Sequence, residues 1–204
     1  TMGEGGCITT NADNLSSKLR ILRDNGIVRT PEQFKNKQLA LDSQGSYNRW
    51  YYEMHNIGLN YRASDLQCSL GASQLLSLGN FITERKKLAG RYDKILATMG
   101  LPLIKPVKRV TGCNPAWHLY QVLIDFDKIQ IDRNRLISEL SKRGIGTQVH
   151  YIPLHLQPYY QKRYGKFKLI GAEKYYSQCL SLPLFPGMTN DEVDWIVQTL
   201  VSVL

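Results

Sequence analysis

Cysteine is scarce in this chain, with four residues among 204, at Cys7, Cys68, Cys113 and Cys179. None forms a Cys-x-x-Cys pair, and no His and Cys residues have zinc-site spacing, which excludes a zinc finger and a disulfide-rich scaffold. Long apolar runs are also lacking, since no stretch approaches the roughly 18 consecutive apolar residues that a membrane-spanning helix requires. The sequence therefore predicts a cytoplasmic protein with reduced thiols and no membrane association.

No block of like charge is present either. The 26 Lys and Arg exceed the 17 Asp and Glu by nine, and this excess is spread over both halves of the chain. No helix-turn-helix, RNA-binding sheet motif or zinc finger accompanies it, so we expect no nucleic-acid partner. A generally basic surface favours anionic ligands such as nucleotides and phosphorylated cofactors. The content of 43% hydrophobic and 21% charged residues indicates a globular chain with a buried core.

The first hundred residues combine helical patterns with one long irregular segment. Leucines recur at helical spacing before Gly26, whereas residues 30–62 have no sustained period. The Ser64 hydroxyl is positioned to cap the next helix. We expect a strand at residues 6–10 and helices at residues 11–26, 64–79 and 81–99.

The second half reads as an α+β arrangement, with helices beside a small sheet. Pro102 and Pro106 mark a change in composition, so we place a domain boundary near residue 100, between domains 1–100 and 101–204. Asp132 is expected to cap one helix, and Thr189 with Glu192 forms a capping-box pattern. We expect strands at residues 117–124 and 145–151, an extended segment at 181–186, and helices at 132–144, 172–180 and 189–201.

Two polar segments could carry chemistry. Asn60 and Arg62 precede the helix that Ser64 begins, where unpaired N–H groups suit a phosphate. The same pattern also fits a capping asparagine beside a surface arginine. Gln148 and His150 lie on one face of the predicted strand at its end, where they could contact a ligand. A histidine at a strand end can equally be a structural residue.

The ordered motifs of this chain resemble the DegT/DnrJ/EryC1/StrS family of nucleotide-sugar aminotransferases, which use pyridoxal 5′-phosphate (PLP). Each motif is weak alone, but together they run through essentially the whole chain. They are Gly3-Glu4-Gly5-Gly6, Leu22-Arg23-x-x-Gly26, Gly58-Leu59-Asn60-Tyr61-Arg62-x-x-Asp65-Leu66-Gln67, Leu70-Gly71-x-Ser73-Gln74-Leu75, Trp117-His118-Leu119-Tyr120 and Val149-His150-Tyr151.

The resemblance implies a fold class, α/β and α+β, as in the C-terminal part of a fold-type-I PLP transferase. Residues 1–100 would be the end of the large PLP-binding domain, and residues 101–204 the small domain. The implied reaction moves an amino group from glutamate to C4 of a UDP-linked keto-sugar in a homodimer. Asn60 would bind the cofactor phosphate of the other subunit and contact the substrate. The implied substrate-binding residues are Gln148, Val149, His150 and Tyr151.

The resemblance also bears on the opening residues. In this family the Schiff-base lysine lies a few residues before the glycine-rich turn, which here begins at Thr1, with Met2 in place of the more usual threonine. We therefore expect that the lysine and an N-terminal half of the protein precede this chain, and that the chain alone is inactive. The alternatives are a family member without catalytic activity and a basic binding module.

Overall fold

A computed structural model describes residues 1–204, and the chain divides into two compact units, 1–76 and 77–204. In the first unit, a two-stranded antiparallel sheet pairs Ile27 with Met54. The buried apolar side chains of this unit are few, namely Val28, Phe34 and Ala40. Its elements are α1 (Asp13–Arg23), β1 (Ile27–Val28), a 3-10 turn (Pro31–Gln33), α2 (Lys37–Ala40), β2 (Glu53–Met54) and α3 (Asp65–Leu76).

Helix α3 buries none of its side chains within the described chain. Leu66 is 84% exposed and Leu76 is 90% exposed. Ser64 begins this helix as predicted, because its hydroxyl accepts from the Gln67 amide while the Gln67 side chain accepts from the Ser64 amide. The reciprocal bonds of Ser64 and Gln67 therefore define where the helix begins.

The second unit contains a three-stranded antiparallel sheet in the order β3-β4-β5. Its register pairs Ile104 with Ile124 and Tyr120 with Leu182. The strands are β3 (Ile104–Pro106), β4 (Tyr120–Ile124) and β5 (Cys179–Leu182). The helices are α4 (Leu78–Met99), α5 (Phe126–Ile129), α6 (Arg133–Lys142), α7 (Pro158–Tyr164), α8 (Ile170–Gln178) and α9 (Asn190–Val203), with a further 3-10 turn at Leu154–Leu156.

The core of the second unit lies where α9 packs against α4 and α6, and it includes buried side chains of all three strands. Tyr92 and Tyr120 stack at its centre, with ring centroids 4.5 Å apart. Burial raises the pKa of both phenols. Two predicted caps are confirmed: Asp132 accepts from the first amides of α6, and Thr189 with Glu192 forms a capping box on α9. No helix has both the length and the apolar character needed to cross a membrane.

Several expected elements differ from the structure. Residues 6–10 form no strand, because no partner strand pairs with them, and the expected strand at 145–151 is reduced to one bridge at Gln148. The strand expected at 117–124 begins only at Tyr120. Helix α4 starts at Leu78, three residues earlier than expected.

The boundary between the two compact units lies between Leu76 and Ser77, whereas the sequence predicts a domain boundary near residue 100. Helix α4 packs against α9 and β3, so it belongs to the second unit, which begins at Ser77. Sequence composition marks the change after α4, whereas packing places the division before it. The assignment of residues 1–100 to the end of a larger PLP-binding domain stays a prediction about an intact protein.

Candidate functional site

The backbone of Asn60 is held beside the end of α1. Asn60 and Asp24 form an antiparallel bridge. On either side of it, the Leu59 amide donates to the Leu22 carbonyl at 2.8 Å and the Tyr61 amide donates to the Arg23 carbonyl at 2.9 Å. These bonds satisfy carbonyls that the last turn of a helix leaves unpaired. The position of Asn60 therefore depends on α1, which lies about 40 residues earlier in the chain.

Two glycines allow this close approach. Gly26 has φ +73° and packs against the backbone of Asn56. An added Cβ at Gly58 would overlap the backbone of Gly26 and lie 2.7 Å from the Leu22 carbonyl oxygen. Only glycine fits where two backbones approach so closely. Glycine at position 58 thus has a steric reason.

The side chain of Asn60 is exposed, and Asn60 does not cap α3, because Ser64 does. Arg62 is 55% exposed at its side chain, and its Nε lies 3.2 Å from Oδ1 of Asp24. A side-chain amide such as that of Asn60 and a guanidinium such as that of Arg62 can both donate hydrogen bonds to phosphate oxygens. The donor set at this place is therefore chemically suited to the phosphate of PLP. The binding role of Asn60 stays a prediction.

The second candidate segment, Gln148–Tyr151, is attached to strand β5. The Gln148 amide donates to the Ser181 carbonyl at 3.3 Å, and the Ser181 amide donates to the Gln148 carbonyl at 2.8 Å. Pairing ends there, so the alternation of a regular strand does not extend to His150 and Tyr151. The side chain of Gln148 is exposed, and its Oε1 accepts from the Val149 amide at 2.9 Å.

His150 is half-buried and is held at two points. Its Nδ1 lies 2.7 Å from Oγ of Ser181, and its carbonyl accepts from the Tyr175 hydroxyl at 3.2 Å. Tyr151 is 69% exposed, and its ring meets the imidazole edge to face at 4.5 Å. Val149 is half-buried. The structure thus brings the His150 and Tyr151 rings together and leaves Gln148 and Tyr151 accessible; the ligand-binding role of all four residues stays a prediction.

Sequence reasoning missed Ser181 and Tyr175 because both act on His150 from elements far along the chain. The sequence predicted only that residues 181–186 are extended. The pairing of this segment with Gln148 depends on tertiary structure. No group of three or more His, Cys, Asp or Glu side chains lies close enough to hold a metal ion.

Sequence reasoning also missed a hydrogen-bonded cluster around the Glu53 carboxylate in the irregular segment, called here the Glu53 cluster. Glu53 accepts from the backbone amides of Lys35 and Asn36 at 2.8 Å, from the Tyr51 hydroxyl at 3.1 Å, and lies 2.5 Å from Nε2 of His55. Burial would raise the pKa of the Glu53 carboxyl, but these hydrogen bonds outweigh it and lower the pKa to about 2. Tyr51, Glu53 and His55 alternate along the chain, which is a signal for one face of an extended segment. These contacts connect residues 51–55 with residues 35 and 36.

The chain belongs to the DegT/DnrJ/EryC1/StrS aminotransferase family, which matches it over residues 1–201. It is 36% identical over 206 residues to the spore coat polysaccharide biosynthesis protein SpsC of Bacillus subtilis (strain 168), covering 99% of this chain and 50% of that protein. It is 31% identical to the UDP-4-amino-4,6-dideoxy-N-acetyl-beta-L-altrosamine transaminase of Campylobacter jejuni, covering 100% of this chain and 49% of that protein.

The fold also matches solved aminotransferase structures over nearly all of this chain and about half of theirs. The structure of Helicobacter pylori PseC, an aminotransferase involved in the biosynthesis of pseudoaminic acid, aligns with a TM-score of 0.79 and 25% identity. The alignment covers 95% of this chain and 47% of PseC. The predicted fold, the C-terminal part of a PLP transferase with α/β and α+β portions, is confirmed. The chain spans about half the length of the curated relatives it matches.

Proposed function

We propose that the protein carrying this chain is a PLP-dependent aminotransferase that moves an amino group from glutamate to C4 of a UDP-linked keto-sugar. Family membership over residues 1–201 is the observation that carries the proposal. The identity to the Campylobacter jejuni transaminase and the fold of PseC support a substrate of the pseudaminic acid pathway. The segments Trp50–Met54, Tyr151–Leu154 and Gln157–Gln161 also resemble the Campylobacter jejuni transaminase. The net charge of +9 suits a substrate with a pyrophosphate.

PLP, when bound, supplies an electron sink for the carbon that exchanges its amino group. The contribution of Asn60 to this chemistry is to hold the phosphate through its side-chain amide, on a backbone that the contacts with the end of α1 keep in place. We propose that it does so across a homodimer, toward the other subunit's cofactor. Its exposed side chain is compatible with a partner outside the chain.

Gln148, Val149, His150 and Tyr151 contact the nucleotide-sugar in this proposal. The bridge to Ser181 gives the segment a rigid base, while Gln148 and Tyr151 remain accessible. Sites built on a rigid element hold a substrate more accurately than free loops do. The tyrosine ring offers a face to the sugar or the base, and the imidazole offers a hydrogen bond.

The test is an assay of the intact enzyme with PLP, glutamate and a UDP-linked 4-keto-sugar. We expect formation of α-ketoglutarate that requires both the keto-sugar and PLP. Binding of the UDP-sugar without any turnover would favour the alternative, a family member that has lost catalysis. A protein that binds neither PLP nor the UDP-sugar would contradict the proposal.

A further inference from the structure

Ser181 holds the candidate substrate segment through both its backbone and its side chain. Ser181 is only 5% exposed. On one side it pairs with Gln121 of β4, and on the other it forms the bridge to Gln148. Its Oγ lies 2.7 Å from Nδ1 of His150. One residue of the sheet therefore determines both the position of the segment and the contact that its imidazole makes.

The direction of this hydrogen bond follows from the burial of Ser181. A hydroxyl carries one proton to donate, and a buried donor without an acceptor is costly. Nδ1 of His150 is the hydrogen-bond partner of the Ser181 side chain in the structure. The hydroxyl therefore donates to Nδ1, which must be unprotonated to accept. In the neutral ring the proton then lies on Nε2.

We propose that Ser181 is a positioning residue that holds His150 as the Nε2–H tautomer, so that His150 meets its ligand as a hydrogen-bond donor. This inference rests on the proposed function, because it specifies how His150 binds. A donor at Nε2 suits oxygen acceptors such as a pyrophosphate, a sugar hydroxyl or the keto oxygen. Tyr175 supports the same geometry by donating to the His150 carbonyl at 3.2 Å.

The first measurement is NMR of the imidazole nitrogens in the intact enzyme labelled with ¹⁵N-histidine. The signals of His150 are identified by their loss in His150→Gln. We expect Nδ1 to show the shift of an unprotonated nitrogen and Nε2 that of a protonated one. In Ser181→Ala both shifts should move toward the tautomer mixture of free imidazole. A proton on Nδ1 of the unmodified chain would overturn the inference.

The second measurement is kinetic and uses the intact enzyme. Loss of one positioning hydrogen bond in Ser181→Ala should raise KM for the UDP-keto-sugar by about fivefold to tenfold. Amino-group loading from glutamate should not change, and Ser181→Thr, which keeps the hydroxyl, should restore KM. Ser177→Ala is the matched control, since the Ser177 hydroxyl bonds only the Lys174 carbonyl one turn back in α8. Thermal denaturation identifies any variant that has lost its fold.

The kinetic outcomes separate this inference from the proposed function. If His150→Ala raises KM for the sugar and Ser181→Ala does not, the role of Ser181 is contradicted while the substrate role of His150 stands. If His150→Ala leaves KM unchanged, the proposed substrate role fails, and the NMR result still decides which tautomer Ser181 holds.

Discussion

Asn60 pairs with Asp24 in an antiparallel bridge at the point where helix α1 has ended. The hydrogen bonds of Leu59 and Tyr61 to the last carbonyls of α1 place Asn60 between them. The candidate cofactor residue is therefore fixed by the C-terminal end of one helix, although it precedes another. Substitutions on either side of this junction should therefore weaken PLP binding indirectly, by moving Asn60.

Asn60→Ala in the intact enzyme should weaken PLP retention and leave the fold unchanged. A lost hydrogen bond to a charged group is worth roughly 1.5–3 kcal/mol, which corresponds to roughly 10–150-fold in affinity. Titration of the apoenzyme with PLP measures the effect. Asn56→Ala is the control, because Asn56 is also exposed but lies outside the bridge. Equal affinities for the Asn60 variant and the unmodified enzyme would refute the assignment.

Gly58→Ala should reduce PLP retention indirectly, by moving Asn60. The new Cβ would overlap the backbone of Gly26, so the junction with α1 must open. We expect a loss of about 1–3 kcal/mol in stability. Gly90→Ala is the control in a helix interior with open space around it, and should be neutral or stabilising by about 1 kcal/mol. Similar melting temperatures for both variants would show that the close approach is not required.

The Glu53 cluster should make residues 35–55 sensitive to acid. The pKa of Glu53 is lowered from 4.5 to about 2, so its stabilisation is present above pH 4.5 and is lost as the pH falls toward 2. Hydrogen exchange of peptides from this segment, corrected for intrinsic rates, should accelerate across that range. Glu53→Gln should accelerate exchange already at pH 7, whereas exposed Glu32→Gln should not. Identical profiles for the two variants would contradict this role.

The 204-residue polypeptide alone should not turn over glutamate. It spans about half the length of the relatives it matches, and α3 leaves its apolar side chains exposed. Incubation with PLP, glutamate and the keto-sugar, followed by detection of α-ketoglutarate, checks this expectation against the intact enzyme. Sustained turnover at a comparable rate would mean that the chain contains a complete active site.

Local signals in the sequence predicted most helices of this fold. Ser64, Asp132 and Thr189 each begin the helix that their side chains were expected to cap, because capping depends on neighbouring residues alone. The strand signals were less informative. Residues 6–10 and 145–151 each contain three β-branched residues, but a strand also needs a partner, and only Gln148 has one.

The candidate site was predictable only in part. Motif order pointed to Asn60 and to residues 148–151, whereas the contacts that hold them come from distant residues. Ser181 lies 31 residues from His150 along the chain, and no local pattern indicates that they meet. The alternation of Tyr51, Glu53 and His55 is present in the sequence. However, the Glu53 carboxylate forms the cluster only with the backbone amides of Lys35 and Asn36, which lie 17 or more residues earlier.

The proposed binding of the sugar substrate by residues 148–151 can be measured by separating the two half-reactions of the intact enzyme. His150→Ala should raise KM for the UDP-keto-sugar, because a ligand contact is lost, and should leave amino-group loading from glutamate nearly unchanged. Rapid mixing with each substrate alone measures the two steps independently. Equal damage to both half-reactions would contradict the claim, and would show instead that His150 supports the fold or the cofactor.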